Sequence, residues 1–358
     1  MSPKTTPLID CHRESQAYLV EFAGTLLPLR YSSEREEHLA VRRALGMFDV
    51  SHMGEFVISG VQAYPYLQSL LTNNLNKLEA GQAQYSLILN HQGGIIDDLI
   101  VYKFSNEYFM LCVNAANIDT DWQCLTKHAQ GFTQLELKNV SDDYAQIAVQ
   151  GPQAINLLST LSDTKLPKKF RFKRLKLASI DVIAAHTGYT GEAGLEIFLA
   201  PMQAPRLWRL LLKHGQAFGL KPCGLAARDS LRLEAGMLLH GSDIDETTSP
   251  LEAGLSWIVD LAKDDFIGKK ALIAQQAAGI NKKLVGFRLL ERGIARHGFS
   301  IHNSNHETIG QVSSGSWPPG HDYALGLAYV SAKHAKLGSE ILIIIRDRPT
   351  RAVITAGI

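Results

Sequence analysis

Two carboxylates stand side by side, Asp97 and Asp98, just after a Gly93-Gly94 pair in the segment YSLILNHQGGIIDDLIVY (85–102). The apolar runs on either side of the glycines read as two strands joined by a tight turn. Neighbours in a strand point to opposite faces, so one of the pair faces water and the other faces inward. A carboxylate aimed inward from an apolar strand is costly unless it has a partner or a job. An inward carboxylate is positioned for proton or ammonium chemistry. Spacing does not choose between Asp97 and Asp98, and a strand-edge carboxylate bonded to backbone amides would read the same way.

A second candidate is HTGYTGEAGLE (186–196). Gly188, Gly191 and Gly194 allow a loop to approach a ligand closely. Tyr189 adds an aromatic face and Glu196 a carboxylate. The spacing GxxGxxG is not the dinucleotide fingerprint, and a plain glycine-rich hairpin connection would look alike. Arg228 and Arg232 fall four residues apart on one helix face, with Glu234 beyond them and Asp229 as a local partner. A guanidinium fork can hold a carboxylate or a planar heterocycle, although a solvated charged face has the same pattern. Residues 165–176, KLPKKFRFKRLK, carry seven basic side chains in twelve. They suit either an acidic protein partner or a solvated strand and turn.

Other chemistries drop out. His52, His186 and His240 have no HxxxH or HExxH spacing, so no metal site is expected. There is no GxSxG and no GxxxxGK[ST]. The formal charge of +1 argues against nucleic acid or a membrane surface as partner. Cys11, Cys112, Cys124 and Cys223 lack CxxC spacing and read as reduced thiols of a cytoplasmic protein. The N-terminus has no apolar signal core, and no apolar run approaches the ~20 residues of a membrane span.

The elements that must position these residues follow from periodicity. The 358 residues, 46% hydrophobic and 20% charged, suit a soluble globular chain, and length alone suggests about two or three domains. Helices are predicted over 33–45, 62–71, 116–129, 201–214 and 225–237, and from Pro152 to 161. Strands are predicted over 47–52, 55–59, 107–114, 144–150, 180–185 and 196–199. A polar, acidic loop occupies 242–249. From 282 onward short strands alternate with turns, which indicates a small barrel-like β domain. The residues alone thus give a multidomain protein with a ligand site drawn from Asp98, Tyr189, Glu196 and Arg228, without naming the reaction.

The blocks MFDVSHMGEF, YSLILNHQGGIIDDLIVY, VNAANIDTD, IAVQGPQA, TGYTGEAGLEI, GLAARDSLRLEAGM and DIDETTSPLEAGLSW occur in this order. Together they resemble the T-protein family, the aminomethyltransferases of the glycine cleavage system, from residue 17 to residue 335. The chain is also similar to wider folate-dependent relatives, among them a demethylase and an iron–sulfur-assembly folate protein. The resemblance implies an α+β fold: a three-domain cloverleaf around a central folate cavity, with a C-terminal antiparallel β-barrel. The domains would be 1–52 with 140–265, 53–139 carrying the hairpin, and 266–358. It implies transfer of a one-carbon unit from the aminomethyl-dihydrolipoyl H-protein to the co-substrate tetrahydrofolate, with release of ammonia. It implies Asp98 as the catalytic carboxylate and Glu196 as acceptor for the pterin edge. Arg228, Tyr189, Asn114, Met53 and Tyr85 match folate-site positions.

Two departures stand out. Gly24-Thr25 replaces the usual Gly-Trp, and the tail PTRAVITAGI lacks the family's closing aromatic motif, so either folate affinity is altered or another side chain fills the place of the closing tyrosine. The alternatives are a folate-binding protein in iron–sulfur maintenance and a folate-dependent demethylase. The first usually carries a KGCYxGQ-type motif, whereas Cys223 here lies in KPCGLAARD.

Overall fold

In the computed structural model, which describes residues 2–356, the chain begins β1 (Lys4–Thr5), α1 (Ile9–Glu14), β2 (Tyr18–Phe22), β3 (Thr25–Arg30), α2 (Glu34–Arg43) and β4 (Leu45–Asp49). It continues β5 (Gly54–Ser59), α3 (Ala63–Leu70), β6 (Gln82–Leu89), β7 (Ile95–Ser105), β8 (Tyr108–Val113), α4 (Ile118–His128) and β9 (Glu136–Asn139). Next come β10 (Ala145–Gln150), α5 (Ala154–Leu161), β11 (Phe172–Leu177), β12 (Ile180–Ala185), β13 (Gly194–Leu199), α6 (Ala204–Gly215), β14 (Leu220–Pro222) and α7 (Leu225–Glu234). Then α8 (Lys269–Ala278) precedes β15 (Lys282–Leu289), β16 (Ser300–His302), β17 (Thr308–Ser316), β18 (Leu325–Ser331), β19 (Glu340–Ile345) and β20 (Arg348–Thr355). The last residues of the tail, 357–358, lie outside the described residues.

By contacts the chain divides into two units. The first holds residues up to 68, 74–86 and 99–229. Its six-stranded sheet has the order β11-β12-β13-β10-β4-β14. Alternation sends Met47, Ile147, Val149, Leu195 and Ile197 to one face, where Leu157 and Leu158 of α5 and Leu207, Trp208 and Leu211 of α6 close a core. Ser33 caps α2, accepting the Glu36 N–H at 3.2 Å, with acidic residues in the first turn and Arg42 and Arg43 in the last.

The opposite face of that sheet carries Gln146, Ala148 and Gln150 beside Phe198, Glu196 and Gly194. It packs on a five-stranded sheet of order β6-β7-β8-β5-β9. Phe172, Ile183, Ala185 and Phe198 from one sheet meet Ala83, Tyr102, Met110 and Cys112 from the other. The first unit is therefore two sheets face to face, backed by helices. Thr25, where the family pattern has Trp, is buried and opens β3, paired with Lys4.

The second unit holds residues 69–73, 87–98 and 230 onward. β15–β20 close into a barrel of order β15-β18-β17-β16-β19-β20, filled by Phe287, Ile301, Ile343 and Ile354 among others. All its pairings are antiparallel. The fold is α+β with the C-terminal antiparallel barrel that the sequence predicts.

Candidate active site

Glu196 sits on β13, in the face turned towards the five-stranded sheet. Its Oε2 accepts from the buried Thr187 hydroxyl at 2.5 Å. Thr187 Oγ1 lies 3.3 Å from the Tyr102 hydroxyl. Burial raises the Glu196 pKa, against the lowering effects of the Thr187 hydrogen bond and the Arg228 charge. Arg228, on α7, lies over the Tyr189 ring at 4.6 Å, a cation–π contact. The same charge reaches His52. Burial, then Arg228, brings that histidine down to about 4 against the pull of Asp49, so the ring is neutral at physiological pH. A carboxylate, a tyrosine and a guanidinium thus share one electrostatic neighbourhood, which suits a flat heterocycle with a row of N–H donors.

Gln150 fixes the loop that bears Tyr189. Its carboxamide donates to the Thr187 carbonyl at 3.2 Å and accepts from the Thr190 hydroxyl at 3.1 Å. A Cβ on Gly188 would come within 2.0 Å of the Gln150 Oε1, so a side chain there would displace the carboxamide that holds the loop. Arg42 adds a bond to the Thr190 carbonyl at 2.6 Å.

The hairpin forms as predicted, with a different division of labour between its glycines. Only Gly93 has positive φ, at +85°. Gly94 is needed because a Cβ would stand 1.8 Å from the Glu246 carbonyl oxygen. Asn90 Oδ1 accepts the Gln92 and Gly94 N–H groups at 3.0 and 2.9 Å, an Asx turn. The acidic loop braces the turn: Ile95 N–H reaches the Asp245 and Thr248 carbonyls, each at 3.1 Å. His240 bonds the Ile95 carbonyl at 3.1 Å, and Asn90 Nδ2 donates to the Glu246 carbonyl at 3.0 Å. These bonds fix where β7 starts and so how its side chains alternate. Asp97 is fully buried, on the face of Leu99 and Val101. Asp98 is half-buried and takes the face of Ile96, Ile100 and Tyr102. Both carboxylates are thus shielded, and the simple division into one wet and one dry member does not hold.

Of the remaining expected residues, Met53 packs beside the inter-sheet cluster, and Tyr85 on β6 and Asn114 after β8 are half-buried. With Tyr189, Glu196 and Arg228 they belong to the first unit, whereas Asp98 belongs to the second. Arg232 does not share the role of Arg228. It is buried against Asp243 at 2.5 Å and donates to Ser314 Oγ at 2.9 Å, while Ser313 Oγ donates to Asp243 at 2.6 Å. That network ties the end of α7 to the barrel.

The basic run also splits. Arg171 pairs with Glu79 at 2.9 Å and Lys176 with Asp181 at 2.7 Å. Lys173 donates to Thr164 Oγ1 at 2.9 Å, and Arg174 lies over Phe104 at 5.5 Å. Lys165, Lys168 and Lys169 are exposed, next to an exposed Phe170 held at φ +54°.

Sequence reasoning missed Thr187, Gln150 and Glu55. It also missed a buried network in which His12 bonds Asp49 at 2.8 Å and the Tyr31 hydroxyl at 2.8 Å. Thr187 stood inside a motif already singled out, and Glu55 inside MFDVSHMGEF.

The N-terminal family profile, described as the GCVT N-terminal domain, matches residues 8–263. The glycine cleavage T-protein C-terminal barrel domain matches residues 282–357. The chain belongs to the glycine cleavage T-protein family. It is 46% identical over 354 residues to an aminomethyltransferase from Caldanaerobacter subterraneus subsp. tengcongensis, covering 98% of this chain and 94% of that one. It is 44% identical to one from Bacteroides thetaiotaomicron, covering 98% of each chain. The crystal structure of the glycine cleavage system aminomethyltransferase T from Bartonella henselae superposes with a TM-score of 0.92 at 33% identity, covering 99% of this chain and 97% of that one. This T-protein family member is accordingly an enzyme, an aminomethyltransferase of the glycine cleavage system. The family uses tetrahydrofolate. No described helix is long and apolar enough to cross a membrane.

Proposed function

We propose that the chain moves the one-carbon unit of an aminomethyl group, carried on the dihydrolipoyl arm of the H-protein, to tetrahydrofolate, and releases ammonia. The observation that carries this reading is Glu196, oriented by Thr187 and placed in the field of Arg228 beside Tyr189. An ionised carboxylate with two acceptor oxygens matches the paired 2-amino and N3–H donors of a pterin edge. Tyr189 and Arg228 supply an aromatic wall and a planar cation, with Met53, Tyr85 and Asn114 as further contacts. The residues present therefore fit the group.

Tetrahydrofolate supplies the nitrogen that accepts the carbon. Asp98 is the carboxylate that orients the N–H of that nitrogen and stabilises positive charge as ammonia departs. The braced hairpin turn gives that side chain a fixed direction. A preset carboxylate needs no reorganisation at the moment of reaction, which is where such groups are most effective. The three-part division given above and a cytoplasmic setting belong to the same proposal. The test is an assay with aminomethyl-loaded H-protein and tetrahydrofolate. Methylenetetrahydrofolate and ammonia formed in equal amounts are expected, and neither product above background would refute the reading.

A further inference from the structure

Glu55 has no part in the chemistry described so far, and its surroundings are unusual for a carboxylate. It lies on β5 opposite Cys112 of β8, which in turn lies opposite Ile100 of β7. Cys112 packs in the cluster between the two sheets of the first unit, so Glu55, on the same row, faces inward. Glu55 is only 2% exposed. Its backbone is satisfied, with Ser141 Oγ accepting its N–H at 3.0 Å and the Val140 N–H reaching its carbonyl at 2.9 Å. Its carboxyl group has no hydrogen bond and no ion pair among the described residues.

The facing sheet presents Glu196 between Ala148 and Ala185, whose side chains end at Cβ. Glu55 feels the charge of Glu196, and Tyr102 and Tyr144 feel that of Glu55; none of these three is a cation. Burial, then the nearby Glu196, pushes the Glu55 carboxyl well above the usual carboxylate range. Glu196 has the Thr187 hydroxyl and the Arg228 charge to favour its ionised form, and neither is among the causes that act on Glu55. Two carboxyl groups in one dry space cannot both ionise cheaply, and here the environment allots the charge to Glu196. These surroundings favour the neutral acid at Glu55, a form that has one O–H to donate.

A pterin edge continues past its N3–H donor to a ring carbonyl at C4, which is an acceptor. A carboxylate and a neutral acid side by side present acceptors followed by a donor, the complement of that edge. We propose that Glu55 is a specificity-determining residue of the pterin site, donating its carboxyl O–H to the C4 carbonyl next to the N–H groups that Glu196 accepts. The proposal rests on the reading that Glu196 holds the pterin. It gives an otherwise unpartnered buried acid a partner on ligand binding, and it selects 4-oxo over 4-amino pteridines.

The test compares wild type, Glu55→Leu, Glu55→Gln and Glu196→Gln by calorimetric titration with 5-methyltetrahydrofolate and with a 2,4-diaminopteridine antifolate. Thermal melting of each ligand-free protein is recorded beside it. Glu55→Leu removes an unpartnered polar group, so its ligand-free melting temperature should rise. Its affinity for 5-methyltetrahydrofolate should fall about tenfold, and for the diamino compound less than about threefold. Glu55→Gln keeps a donor and should stay within about threefold of wild type for both. An unchanged 4-oxo affinity in Glu55→Leu, or an equal fall for both ligands, overturns the proposal. If Glu196→Gln binds 5-methyltetrahydrofolate as tightly as wild type, the pterin-site reading fails and takes this proposal with it. Weak binding by Glu196→Gln together with a neutral Glu55→Leu result overturns the Glu55 role alone.

Discussion

Thr187→Val keeps the shape of a buried side chain and removes one hydroxyl. That hydroxyl donates to Glu196 at 2.5 Å, and its bond favours the ionised carboxylate. Burial already raises the Glu196 pKa, and with the hydroxyl gone only the Arg228 charge opposes that rise. The ionised form is the one that accepts pterin N–H groups, so binding weakens as pH falls through the Glu196 pKa. The variant has the higher pKa, so its binding midpoint lies at higher pH than that of wild type. A hydrogen bond to a charged group contributes ~1.5–3 kcal/mol. Each 1.4 kcal/mol corresponds to about tenfold in affinity. A loss of about tenfold or more is therefore expected at pH below the two midpoints, shrinking to less than about threefold well above them, where Glu196 is ionised in both proteins. Titration of 5-methyltetrahydrofolate into both proteins across that range reads the midpoint directly. A midpoint that stays in place or moves to lower pH would refute the electrostatic role given to Thr187.

Gly94→Ala places a Cβ against the Glu246 carbonyl. It should destabilise the fold by about 1–3 kcal/mol and slow transfer beyond what stability explains, as read by melting and turnover together. Asp243→Asn breaks the buried pair with Arg232, and denaturant unfolding should show a loss of about 3–5 kcal/mol. Charge reversal of Lys165, Lys168 and Lys169 should raise the apparent KM for H-protein and flatten its salt dependence, while reversal of Arg171 and Lys176, which already have partners, should do much less. Equal effects from the two sets would remove the docking role.

Much of the fold was legible because its signals are local. The apolar face of α6 and the strand alternation beyond residue 282 each repeat with the period of their own element. The turn at Gly93 was legible for the same reason. The need for glycine at position 94 was not, because it comes from Glu246, more than a hundred residues away in sequence. Arg228 and Arg232 look equivalent on a helical wheel, yet one meets Tyr189 and the other Asp243. Only tertiary packing separates them. Glu55 was hidden because a lone glutamate in an apolar strand carries no periodic signal. Its meaning depends on which sheet faces it. Asp97 and Asp98 show the limit from the other side: alternation correctly sends them to opposite faces, but the burial of both follows from what covers each face.

The most direct measurement is the turnover of Asp98→Asn beside that of Asp97→Asn, each with loaded H-protein and tetrahydrofolate and each corrected for the fraction folded. Asp98→Asn should retain the wild-type fold and slow transfer by about 100-fold or more. Asp97→Asn, altered at a fully buried position, should lose stability and keep turnover per folded molecule within about threefold of wild type. Wild-type turnover in Asp98→Asn, or a larger catalytic loss in Asp97→Asn, would contradict the assignment of Asp98 as the catalytic carboxylate.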